Sequence, residues 1–256
     1  MDRFLIHMRY TFAMLAVLIA GTLVAAERDI YTAATLREGR SADDVQRDAI
    51  DHPADVLRLA KITPGMQVAD VLAADGYYSE LVADIVGKQG HVLLLNNAAF
   101  DGWSDNGWVK RLADGRLPNV EHRTVDLNTM GLGNQTLDAV LLIKVYHDLY
   151  WVADSGPWPK VDPSGVLDQI VRALRPGGVV LLVDHSAKPG TGSSAAGTLH
   201  RIDESFARAD FQAHGLTLVG TSDALRRPDD PRDQISYKGP MLGKTDRFVL
   251  VFRKPK

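Results

Sequence analysis

The stretch MQVADVLAADGYYSEL, residues 66–81, decides how the rest of the chain is read. Val68, Ala69, Val71 and Leu72 form a short apolar run interrupted only by Asp70, the pattern of a strand buried on both faces. Ala73-Ala74-Asp75-Gly76 is a turn of small residues, and residues 78–83 have helical spacing. Strand, turn and helix make the first half of a βαβ unit. Such a turn aims backbone N–H groups and a helix N-terminus at a ligand, and small side chains let the ligand approach.

Working outward, Ser41 is placed to cap a helix running to Ile50. Pro53 opens a second helix with Val56, Leu57 and Ala60 inward, and Thr63-Pro64-Gly65 ends it. Apolar runs predict further strands at residues 91–96, 137–145, 179–183, 216–220 and 247–252, and residues 120–125 are read as the third strand of the series. Helices are predicted between them at 105–113, with Trp108 and Leu112 inward, at 163–174 behind an Asp162-Pro163 start, and at 199–213. Residues 27–40 have no period and read as a loosely ordered lead-in. Residues 187–197 form a Gly/Ser/Thr-rich loop without the Gly-Lys-Ser/Thr of a P-loop. Residues 224–244 are a polar, Pro-rich excursion.

The chain of 256 residues suits one well-packed domain with excursions, or at most two. Its net charge of −3 and the lack of a long basic run argue against nucleic acid as an obligatory partner. It has no cysteine, which excludes disulfides, thiolate metal ligands and cysteine nucleophiles. Arg3 and Arg9 precede the apolar stretch TFAMLAVLIAGTLV, and Val24-Ala25-Ala26 supplies small residues for cleavage. Residues 1–26 therefore read as a signal peptide, predicting a periplasmic or secreted protein with no membrane span after cleavage. An uncleaved N-terminal anchor is the alternative. The domain proper is expected over residues 53–256, with 27–52 leading into it.

Residues 66–81 resemble the first motif of class I S-adenosylmethionine (SAM)-dependent methyltransferases, an acidic residue followed by three spaced glycines. Asp70 matches the acidic position and Gly76 the last glycine, while Leu72 and Ala74 stand where the other two glycines would be. Lys61-Ile62-Thr63-Pro64-Gly65-Met66 resembles the segment that precedes that motif. ALRPGGVVLLVDHS, residues 173–186, resembles the Leu-Lys/Arg-Pro-Gly-Gly turn before a later strand of the family. GYYSEL, YHDLYW and the segment from VDHSAKPGTG to GTLHRIDE are similar to exported bacterial methyltransferase-like proteins.

The resemblance implies an α/β, Rossmann-like fold with a mostly parallel seven-stranded sheet and a C-terminal antiparallel strand. It implies SAM as cofactor, held by Asp70, Ala74, Gly76 and Tyr77. Asn96 or Asn97 stands where the family keeps a ribose-binding acid, and Asp126 where it reads the adenine amino group. Asp126 reads equally as a turn residue or helix cap.

Ligands of parallel α/β sheets bind beyond the carboxyl ends of the strands. Tyr146-His147-Asp148 and Asp184-His185 end the predicted fourth and fifth strands. His147 is the first choice for a general base and His185 the second, with Asp148 or Asp184 as orienting or metal-binding partner; alternatively both histidines simply pack and bond backbone. Asp148, Asp184 and His185 resemble in placement the ligands of catechol-type O-methyltransferases, so a divalent metal is a further expectation. The run His200-Arg201-Ile202-Asp203-Glu204 is a solvated face or a substrate clamp, and Tyr146, Tyr150, Trp151 and Trp158 line a pocket or pack a loop. The expected function is methyl transfer from SAM to an oxygen or nitrogen of a small molecule. The alternatives are a methyltransferase-fold binding protein that has lost SAM and a metal-assisted hydrolase.

Overall fold

The computed structural model describes residues 29–256 except residue 154. The predicted signal segment lies outside the described residues. Three helices lead in: α1 (Ile30–Thr35), α2 (Ala42–Asp51) and α3 (Pro53–Ala60). Ser41 caps α2 by accepting from the Asp44 N–H, and Pro53 opens α3 as its sequence position predicts. The lead-in is more ordered than its lack of period predicts: Asp29 caps α1, and Ala34 is buried.

The strands are β1 (Gln67–Val71), β2 (His91–Asn96), β3 (Val120–Thr124), β4 (Leu137–Ile143), β5 (Leu174–His185), β6 (Thr217–Ser222) and β7 (Arg247–Arg253). They form one sheet in the order β3-β2-β1-β4-β5-β7-β6. The first five pair in parallel, and β7 runs antiparallel between β5 and β6. This is the Rossmann-like methyltransferase fold with a C-terminal antiparallel hairpin.

Alternate residues along each strand enter opposite cores, as the pleat requires. On one face Val68, Val92, Leu141 and Leu181 pack with α3 and with α4 (Tyr77–Val86). On the other, Val71, Leu95, Leu142 and Leu182 pack with α7 (Pro163–Ala173) and Phe211. Between β2 and β3 the chain forms α5 (Ala98–Trp103) and α6 (Gly107–Leu112) in place of the single helix predicted. Asp105 and Asn106 take left-handed backbone angles, so the helix predicted from 105 begins at Gly107, and α5 lies before the predicted range.

The remaining helices are α8 (Ala196–Leu199) and α9 (Glu204–Ala213). The helix expected from Leu199 starts instead at Glu204, because Asp203 caps it through the Ser205 N–H. Residues 200–203 are thereby freed to run past the carboxyl end of β5, where Ile202 bridges to Ser186. No helix of the described residues is long and apolar enough to cross a membrane.

Candidate active site

The turn after β1 keeps the geometry of a glycine loop without its glycines. Leu72 and Ala74 both stand at φ 54°, and Gly76 at φ 86°. Left-handed angles cost an L-residue roughly 1–2 kcal/mol each, so surrounding contacts must hold the turn. Asn96, at the end of β2, supplies two of them. Its Oδ1 accepts from the Ala74 N–H at 2.9 Å and its Nδ2 donates to the Ala74 carbonyl at 2.8 Å. Arg111 from α6 adds two more, donating to the Asp75 carbonyl and to the Asp75 carboxylate, each at 2.6 Å.

The expected cofactor residues divide on this geometry. Ala74 lies in the turn, at its strained position. Gly76 is needed by the protein itself: a Cβ there would stand 2.6 Å from Leu94 Cδ1 on β2, the close helix–strand approach of the last glycine in such motifs. Asp70 is buried and accepts from Ser79 Oγ at 2.7 Å; burial pushes its carboxyl up to about 7. Tyr77 is buried on the far side, with its hydroxyl donating to Asp48 at 2.6 Å.

Asn96 has its amide engaged by Ala74 and by Asp101 Oδ1 at 2.8 Å, so it braces the turn. Asp101 in turn accepts from Thr124 Oγ1 at 2.6 Å and faces His122 Nε2 at 3.0 Å. Asp126 is exposed and caps a single turn of 3-10 helix through the Asn128 N–H at 2.8 Å, the helix-cap alternative of the two. The neighbouring Asn97 is different. Its Oδ1 caps α5, while its Nδ2 is buried with no partner. An orphaned donor at the end of β2 fits a ribose hydroxyl there. The turn and Asn97 are thus the parts of this chain that suit SAM.

The ends of β4 and β5 do come together. The His147 backbone N–H donates to Asp184 Oδ2 at 2.8 Å, and His147 Nδ1 lies 2.7 Å from Asp184 Oδ1. The His185 N–H donates to the same Oδ1 at 2.7 Å. Asp184 is completely buried and both of its oxygens are engaged, so it orients His147 and is not a metal ligand. His147 Nε2 faces Asp148 Oδ1 at 3.3 Å, and so does His200 Nδ1, also at 3.3 Å. His185 Nδ1 pairs with Thr245 Oγ1 at 2.7 Å.

These neighbours reverse the expected order of the two histidines. Burial disfavours the charged form of His147, but the Asp148 and Asp184 carboxylates outweigh it and push the imidazole up to about 10. His147 is therefore protonated at neutral pH and cannot accept a proton. His185 is held well below the ordinary value by burial and then by the His147 charge. It is the histidine already in base form.

Above the cluster opens a cavity of about 240 Å³, walled by Phe100, Trp151, Trp158 and Tyr237. Trp151 and Trp158 stack with centroids 5.4 Å apart. Trp158 is buried and its Nε1 has no partner. Lys144 also lines the cavity, at φ 63°, with Nζ 2.9 Å from Asp51. Burial pushes its amine down to about 8. Sequence reasoning missed Lys144, which lies inside a predicted strand, and placed His200 on a helix face. The left-handed angle at His200, φ 49°, follows the end of α8 and turns the chain back toward Asp148.

The fold and the placement of this cavity beyond the strand ends define a protein of methyltransferase architecture. Comparison with solved structures agrees. A SAM-dependent methyltransferase from Aquifex aeolicus matches with a TM-score of 0.58 at 17% identity, over 81% of this chain and 92% of that one. The cyclase SpnF matches with a TM-score of 0.57 at 15% identity, over 86% of this chain and 84% of that one. CrArsM, an arsenic(III) SAM methyltransferase from Chlamydomonas reinhardtii, matches with a TM-score of 0.51 at 16% identity, over 83% and 73%. No protein-family model and no curated protein matches the chain. At these identities the likeness shows the fold, and a fold hosts more than one chemistry.

Proposed function

We propose that this chain transfers a methyl group from SAM to an oxygen or nitrogen of a small, flat, largely apolar molecule held between Trp151 and His185. The observation that supports it is the retained left-handed turn at Leu72, Ala74 and Gly76, beside the orphaned Asn97 amide. Such a turn is costly without glycines and has no evident use in packing a sheet. When bound, SAM supplies an electrophilic methyl group. The chain's own part is to position the acceptor, exclude water with its tryptophans and take the acceptor proton at His185. The signal-like residues 1–26 and the resemblance to exported methyltransferase-like proteins support a role in the cell envelope.

A second reading has a specific observation behind it. Asn96 and Asp101 are saturated by protein partners at the place where a ribose would be read, as in a methyltransferase-fold protein that no longer uses SAM. Calorimetric titration of the purified chain with SAM and S-adenosylhomocysteine separates the two. Methyl transfer requires binding of both, weakened by Asn97→Ala. No heat with either ligand would leave the second reading standing.

A further inference from the structure

We propose that His147 Nε2, Asp148 Oδ1 and His200 Nδ1 bind a divalent transition-metal ion of the Zn²⁺ class at the floor of the aromatic cavity, the ion displacing to solvent the proton that His147 Nε2 otherwise holds. The three atoms lie within 4.8 Å of one another. The two separations from Asp148 Oδ1, 3.3 Å to each imidazole, carry the argument. Charge-assisted hydrogen bonds close to about 2.7–2.9 Å. The same cluster contains contacts of that length, from His147 Nδ1 to Asp184 and from His185 Nδ1 to Thr245, both 2.7 Å. The Asp148 contacts do not close. Ligand atoms about 2.0–2.1 Å from a tetrahedral ion stand roughly 3.3–3.4 Å apart along the tetrahedron's edge. Both Asp148 separations match that edge.

The surroundings fit a metal on three further counts. Asp184 holds His147 by Nδ1 and leaves Nε2 toward the cluster, the carboxylate–histidine arrangement that orients metal-bound imidazoles. Asp184 is itself pinned by the His147 and His185 backbone N–H groups, so the support is rigid. The His200 ring is held against Tyr237, with centroids 4.6 Å apart, and against Trp151, at 5.1 Å.

Two imidazoles and one carboxylate suit a first-row transition ion over Mg²⁺ or Ca²⁺, whose ligands are all oxygen. Three protein ligands leave a position open toward the cavity, as in catalytic sites. Trp158 lines the same cavity and stacks on Trp151, which packs against the His200 ring. The set differs from the expected trio of Asp148, Asp184 and His185 in two of its three members. It does not depend on SAM. If both sites operate, the ion's open position takes the acceptor oxygen and lowers its pKa.

The test is metal binding by the full chain after chelator stripping. Zn²⁺ is titrated against a chromophoric competitor, and Co²⁺ is followed by its visible absorption. The expected result is one tight equivalent of Zn²⁺ and an intense tetrahedral Co²⁺ spectrum. His200→Gln and Asp148→Asn should each lose both signals, and Asp184→Asn should weaken Zn²⁺ about 10–100-fold. His200 is only partly buried, so His200→Gln is expected to fold, which circular dichroism checks. Three results would overturn the proposal: no stoichiometric Zn²⁺ in the wild type, binding unchanged in both ligand variants, or preference for Mg²⁺. SAM calorimetry on the same samples keeps this outcome separate from that of the methyl-transfer reading.

Discussion

Arg247, the first residue of β7, sets its guanidinium on the carboxylate of Asp51, the last residue of α2, across 196 positions of sequence. Both are buried, and Asp51 Oδ2 also takes Arg47 at 2.7 Å and Lys144 at 2.9 Å. One carboxylate thus joins the lead-in helices, the floor of the cavity and the last strand.

Removing Arg247 leaves Asp51 with Arg47 and Lys144, so the loss is that of a buried charge-assisted hydrogen bond, about 1.5–3 kcal/mol. Arg247→Met should lower stability by about that amount in urea unfolding. The acid limb should change as well. Burial raises the Asp51 carboxyl, but Lys144, Arg47 and Arg247 outweigh it and hold it far below its ordinary value. A carboxyl depressed in the folded state stabilises above its unfolded pKa, about 3.9, and the contribution is lost as pH falls below that. Wild type should therefore lose stability more steeply than Arg247→Met below about pH 4.

Asp70 acts in the opposite sense. Its folded carboxyl is raised to about 7 by burial, so between about pH 4 and 7 the folded chain holds a proton that the unfolded chain has released. Stability should fall as pH rises through that window. In Asp70→Asn the slope should flatten. An unchanged slope in the variant would show that Asp70 is ionised inside the fold.

The turn makes a prediction about strain. Ala74 at φ 54° sits in a region that glycine occupies without a Cβ penalty. Ala74→Gly should raise the midpoint of unfolding by the equivalent of about 0.5–1 kcal/mol, although glycine in an ordinary position lowers it. At Gly76 the same logic runs backwards. Gly76→Ala should destabilise, because the new Cβ meets Leu94.

Lys144, with its amine lowered to about 8 and facing the cavity, should react with small acylating reagents ahead of the surface lysines. Peptide mapping after brief labelling should show a rate that rises through pH 8. Labelling of Lys144 last among the lysines would contradict its access from the cavity.

The fold was legible because its central strands are continuous apolar runs. Residues 137–143 and 179–183 have no polar position except Asp138, and parallel strands buried on both faces demand that pattern. The meeting of His147 with Asp184 was legible too, since adjacent parallel strands bring their ends together. The role of Asn96 was not. Its partners are backbone atoms of Ala74, 22 residues away, and no side-chain pattern announces a backbone contact. His200 escaped for a similar reason. Its apolar neighbours continue a helical stripe on paper, but the Asp203 cap starts that helix only at Glu204 and leaves His200 outside it, with the imidazole at Asp148. The charge on His147 depends on two carboxylates at once, and only the assembled site shows both.

The position of β7 bears on the order in which the chain can assemble. The last strand to be made lies between β5 and β6 and not at the rim of the sheet. Until β7 pairs, β5 presents an open edge of unpaired N–H and C=O groups, β6 has no neighbour to join, and Asp51 lacks Arg247. A nascent or truncated chain is therefore a template for pairing with another strand. The sheet therefore cannot close between β5 and β6 before β7 is in place.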